Sequence, residues 1–160
     1  DFNKPYEGFE MAQISRFLRR RPQGQKAILL MDMCRAGSLD FLEDGARATT
    51  LGGVQRVTGE DVGNALKGSG TIVFASSNGS APSYESADWE GGHGAFTAAV
   101  LRGLRGEAEA SGDRKDGQVD VLEMVDFVSK TVPELTGARK QQPTVVGAIG
   151  FSTFALTKPN

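Results

Sequence analysis

Within four consecutive positions, Asp32-Met33-Cys34-Arg35, the chain carries a carboxylate, its only thiol and a guanidinium, and a flexible Gly37 follows two residues later. A thiol beside a cation is biased toward the thiolate, the form that attacks carbonyl carbon. Asp32 lies two residues before Cys34, so on extended backbone both side chains share one side. A carboxylate there could floor a pocket beside the nucleophile and select a cationic group through a charge-assisted hydrogen bond. Both residues also have plainer readings. A lone cysteine at an apolar strand is a small core hydrophobe, and a strand-end aspartate accepts hydrogen bonds from loop amides. Cys34 nevertheless sits past the end of the apolar run, where loops present side chains over a rigid base.

Other chemistries fit less well. A phosphatase loop needs an arginine six residues after the cysteine, and that position is Asp40. His93, the sole histidine, stands in Gly91-Gly92-His93-Gly94 and reads as a loop residue entering a helix. Aligning Gly117 on the invariant glycine of a calcium loop puts Gly112 and Arg114 where acidic ligands belong, so that stretch reads as a helix entry. No phosphate-loop or Gly-x-Gly-x-x-Gly signature occurs.

These residues must be positioned by the elements around them. Ala27 to Met31 is an unbroken apolar run and predicts a strand buried on both faces at the centre of a parallel sheet. Thr71 to Ala75 predicts a second such strand, ended by Ser76-Ser77-Asn78-Gly79-Ser80. Helices are expected from Glu7 to Arg20, where Met11, Ile14, Phe17 and Leu18 recur at helical spacing, and from Thr58 to Lys67. A third starts near Gly94, with Gly103 and Gly106 marking its end, and a fourth runs from Asp120 and Glu123, at capping-box spacing, to Pro133. Arg35 to Val57 reads as a long loop, Ala81 to Gly92 as irregular and Glu107 to Gly117 as a surface loop. Thr144 to Val146 and Phe151 to Leu156 offer one or two edge strands.

At 160 residues with 39% hydrophobic and 24% charged residues, the chain suits one domain with a proper core. Its net charge of -2 gives no electrostatic footprint for nucleic acid or an anionic membrane. The basic run from Arg16 to Arg21 reads as the solvated face and end of a helix. No stretch approaches the roughly 18 apolar residues that a membrane helix needs. One cysteine permits no internal disulfide, which suits a reducing, cytoplasmic setting.

Taken together, these residues resemble the caspase and metacaspase superfamily of cysteine peptidases. The resemblance runs through Asp32-Met33-Cys34-Arg35-Ala36-Gly37, Ile72 to Ser77 with Ser83-Tyr84-Glu85, His93-Gly94-Ala95-Phe96-Thr97, Val128 to Pro133 and Gln141-Gln142-Pro143. The animal caspase signature is Gln-Ala-Cys-[Arg/Gln/Gly]-Gly. Here Asp32 replaces the glutamine, and Asp-x-Cys-x-x-Gly is similar to the form in metacaspases and bacterial caspase-like proteins, the orthocaspases. The resemblance implies an α/β, three-layer caspase-like sandwich: a mostly parallel central sheet with helices on both faces, residues 1–160 forming a single domain. It makes Cys34 the nucleophile and Asp32 the base of a pocket choosing Arg or Lys, lined by Ser76 and Ser77. The partners implied are a protein or peptide substrate and an N-terminal segment or chain carrying the catalytic histidine. That histidine lies roughly 50 residues before the cysteine in the family, and with the N-terminal strands it is expected upstream of residue 1. No cofactor is required; calcium is allowed by the resemblance, as are a zymogen form and self-processing, expected after Arg47 or Arg56. The alternative is a non-catalytic caspase-homology module that binds partners.

Overall fold

A computed structural model describes residues 16–20, 26–32, 71–78, 82–112, 115–139, 141–146 and 154–158. Strand β1 is Ala27–Met31 and strand β2 is Thr71–Ala75. They pair in parallel, from Ala27 opposite Thr71 to Met31 opposite Ala75. A short hairpin follows, β3 (Glu85–Ser86) against β4 (His93–Gly94), within the segment read as irregular. Helix α1 (Ala95–Arg102), a π-helical turn (Gly103–Glu107) and helix α2 (Ala108–Ser111) come next. Helix α3 (Val121–Thr136) and strand β5 (Thr144–Val146) complete the series. The fold is α/β, and the described sheet is mixed, since β5 joins β2 antiparallel in the order β1-β2-β5.

Burial is distributed differently from the sequence expectation. All five residues of β2 are buried, whereas β1 is half-buried and its Leu30 is 44% exposed. In the described sheet β2 lies between β1 and β5, and its Phe74 belongs to the core packed under the helices. In the basic helical turn Leu18 is buried, but Phe17, expected on the apolar face, is 71% exposed. The proposed helix at residues 58–67, the loop at 35–57 and Cys34 itself lie outside the described residues.

The core forms where β2 meets α1 and α3. Phe74 and Phe96 pack edge to face with ring centroids 4.9 Å apart, and Val100, Met124, Phe127, Val128 and Val132 close around them. Gly103 was expected to end α1 but has ordinary helical dihedrals (φ -58, ψ -47). Its missing side chain serves packing instead: a Cβ there would lie 2.7 Å from Met124 Sδ. The chain therefore winds on through the π turn into α2, where a surface loop was expected. The left-handed residue that bends it is Gly106, at φ 110.

Helix α3 begins with the expected capping box. Asp120 Oδ1 accepts from the Glu123 amide at 2.9 Å, and Glu123 Oε2 accepts from the Asp120 amide at 3.0 Å. It passes Pro133, which was expected to stop it, and ends at Gly137 with φ 54. A proline so close to the end forfeits one backbone bond, while the extra turn buries Thr136 on the core side. After it, the tail forms a single antiparallel bridge, Ala155 to Asp120, and Leu156 N–H donates to Val119 O at 2.7 Å.

Candidate active site at the strand ends

Because β1 and β2 are parallel, both deliver their carboxyl ends to one edge of the sheet. Asp32 is the first residue after β1, and Ser76 and Ser77 are the first after β2. The Ser76 amide donates to Met31 O at 2.8 Å, so the two strand ends are tied directly together. Helix α1 points its N-terminus at the same edge. The Thr97 amide donates to Asp32 Oδ2 at 3.1 Å and the Thr97 hydroxyl to the same oxygen at 2.6 Å.

Asp32 thus caps α1 from 65 positions away in sequence, supplying an acceptor to the third helical amide, one of the groups a helix cannot satisfy internally. Negative charge at that end also complements the helix dipole. Gly94 makes the approach possible, because a Cβ there would fall inside the contact distance of Asp32 Oδ2. The aspartate is solvent-exposed, and both bonds from Thr97 use Oδ2. One oxygen is therefore anchored by a helix, which fixes where the other can point.

Ser76 and Ser77 are fully buried. The Ser76 hydroxyl shares a 2.6 Å hydrogen bond with the Ser83 hydroxyl, which joins the end of β2 to the segment leading into β3. Ser76 therefore supports the wall from behind. His93 is exposed in β4, paired with Ser86, and its amide donates to Trp89 O at 2.9 Å. It belongs to the hairpin just before α1, where the sequence reading had a loop residue entering the helix.

The sequence profile of the caspase domain matches residues 1–150 of the chain. The chain belongs to the caspase-domain family. No curated protein and no solved structure matched it. Family membership places the chain among cysteine peptidases in general terms. Among the described residues, no group of three or more His, Cys, Asp or Glu side chains could hold a metal ion. In the stretch that faintly resembles a calcium site, Gly117 N–H donates to Glu109 Oε1 of α2 at 2.7 Å and Gln118 N–H to Asp116 Oδ1 at 3.1 Å. No described helix is long and apolar enough to cross a membrane.

Two residues of this edge received no role from the sequence. Thr97 stands in the His93 to Thr97 motif and Gln141 in Gln141-Gln142-Pro143, but only three-dimensional contact reveals what each holds. For Thr97 a signal did exist, since a hydroxyl in the first turn of a helix can reach a carboxylate brought to that terminus.

Proposed function

We propose that this caspase domain is part of a cysteine endopeptidase that cleaves after Arg or Lys, with Cys34 as nucleophile. What supports the reading is the family match together with Asp32, an exposed carboxylate at the strand end two residues before the thiol. In the reaction, the Cys34 thiolate adds to the scissile carbonyl carbon, and its own backbone N–H helps to bind the resulting oxyanion. A histidine from an upstream segment protonates the amine as the C–N bond breaks, leaving a thioester. Water, deprotonated by the same imidazole, then adds to the thioester; collapse breaks the C–S bond and yields the carboxylic acid and the thiol.

Selectivity in this reading comes from Asp32. With Oδ2 held by Thr97, Oδ1 is left to accept from the guanidinium or ammonium of the substrate residue, as a charge-assisted bond. Ser76 and Ser77 complete the pocket as its backing. The finer architecture we propose is the three-layer sandwich with a mostly parallel sheet, as one domain whose N-terminal strands and histidine lie upstream of residue 1. A metacaspase-like or orthocaspase-like zymogen that processes itself after Arg47 or Arg56, in a reducing compartment, belongs to the same proposal. Calcium is an additive to titrate in its assay.

The non-catalytic module remains the competing reading, favoured by one observation: Asp32 already has a structural duty at α1. The two are separated by incubating the full-length protein with a fluorogenic peptide ending in arginine. Cleavage that disappears in Cys34→Ala supports the peptidase. Equal signal from both proteins, or none from either, supports the module.

A further inference from the structure

We propose that Gln141 is a positioning residue whose buried side-chain amide holds the two walls of the strand-end site in register. The inference rests, for its kinetic part, on the peptidase reading above. Gln141 is completely buried. Its Nε2 donates to Ser76 O at 2.9 Å, and its Oε1 accepts from the Tyr84 amide at 2.9 Å. One planar amide thus spans the end of β2 and the segment that leads into the β3-β4 hairpin. Its base is fixed as well: the Gln141 amide donates to Thr136 Oγ1 at 3.2 Å, and that hydroxyl donates to Val132 O at 2.9 Å in the last turns of α3.

The connections continue outward from both ends of the brace. Ser76 reaches Met31, next to Asp32, through its amide and Ser83 through its hydroxyl. Tyr84 O accepts from the Ala95 amide at 2.8 Å, which fixes the start of α1 two residues before Thr97. Arg139 covers the Tyr84 ring at 5.1 Å. An open cavity of about 480 Å³ lies beside this arrangement, walled by Glu85, Asp88 and Trp89 on one side and Leu135, Thr136 and Arg139 on the other. Gln141 links those two segments, so it sets their separation.

The chemistry singles out an amide. Methionine fills similar space but removes the donor to the buried Ser76 carbonyl and the acceptor for the half-buried Tyr84 N–H, and losing such partners away from water is expensive. Glutamate still accepts from Tyr84, yet in its ionised form it turns an oxygen on the Ser76 carbonyl; protonated, it restores donor and acceptor. Gln141 touches none of the reacting atoms in the proposed mechanism. Its loss should therefore weaken substrate binding more than the chemical step.

The test uses full-length protein carrying Gln141→Met or Gln141→Glu, with two readouts: amide hydrogen exchange at Tyr84, and KM and kcat on the arginine-terminated peptide. In Gln141→Met we expect Tyr84 exchange to quicken while Val128 and Val132 keep their protection, and KM to rise on the order of tenfold at nearly constant kcat. Gln141→Glu should show a raised KM near neutral pH that returns toward wild type as pH falls, each point compared with wild type at the same pH. This variant decides the question alone if the methionine variant does not fold. Unchanged Tyr84 exchange in folded Gln141→Met, a fall in kcat at constant KM, or a wild-type KM for Gln141→Glu at every pH would overturn the assignment. Wild-type protein that cuts nothing defeats the peptidase reading only, and Tyr84 exchange then decides on the brace.

Discussion

Replacing Asp32 by asparagine separates two duties that one carboxylate carries. The structural duty is to accept from Thr97 at the start of α1, with Oδ2 at 3.1 Å from the amide and 2.6 Å from the hydroxyl. Asparagine has an oxygen at the same place and is as good a helix cap as aspartate. What it lacks is charge, worth about 0.3–1 kcal/mol at a helix N-terminus. For a domain of this size that corresponds to a fall in Tm of roughly 1–4 °C. The proposed functional duty is larger, since a hydrogen bond between charged partners contributes about 1.5–3 kcal/mol. Lost from the transition state, it lowers kcat/KM on arginine-terminated peptides by about tenfold to 150-fold. The assay compares kcat/KM for arginine-terminated and glutamine-terminated peptides in wild type and Asp32→Asn, with thermal unfolding of both proteins alongside. The reasoning predicts a small change in Tm and a collapse of the arginine preference. It is refuted if the arginine preference survives in a variant whose Tm has dropped, because Asp32 would then be a helix cap and nothing more.

Gly94→Ala puts a methyl group against Asp32 Oδ2, a flexible side-chain end that can swing away. Moving that oxygen breaks its bonds to Thr97, so stability should fall by about 0.5–2 kcal/mol and arginine selectivity should fall with it; urea unfolding and the same peptide pair check both halves. Phe74→Ala removes a wholly buried ring from its edge-to-face partner Phe96 and should destabilise by about 3–5 kcal/mol, read as a shift in the urea midpoint. Glu107 has its carboxyl held below the ordinary carboxylate range by the hydrogen bond from Arg102. A depressed folded pKa adds stability above the unfolded value and loses it as pH falls through the folded one. The advantage of wild type over Glu107→Gln should therefore fade on acidification. With the Glu107 side chain 48% exposed, solvent and salt keep it under about 1 kcal/mol, and high salt should erase it.

The parts of the fold legible in the sequence were those specified locally. Ala27 to Met31 and Thr71 to Ala75 announce themselves as apolar runs, and Asp120 with Glu123 announces a helix start by spacing alone. The elements misread were those in which a residue serves a distant partner. Gly103 looked like a helix end because its reason for being glycine is Met124, on another helix. Pro133 looked like a stop because nothing local reveals that Thr136 is buried one turn later. The antiparallel entry of β5 beside β2 depends on the path of the intervening chain, which periodicity does not encode.

The candidate site divides along the same line. Asp32 stood out because a carboxylate breaks an apolar run, and Ser76 and Ser77 because they end the next strand. Thr97 and Gln141 did not, since the contacts that define them join positions 65 and 57 residues apart or more. A buried glutamine spanning two backbone groups carries no distinctive spacing in the sequence.

The central claim is that Cys34 is a reactive thiolate beside a pocket for a basic side chain, and covalent labelling tests it directly. Cys34 is the only cysteine in the chain, so an adduct of this segment is assigned without ambiguity by peptide mass mapping. Full-length protein treated with an arginine-terminated halomethyl ketone should be alkylated at Cys34, and an aspartate-terminated reagent of equal reactivity should label it far more slowly. Labelling of Cys34 at the same rate by both reagents, or an unlabelled Cys34 in folded protein, would contradict the account.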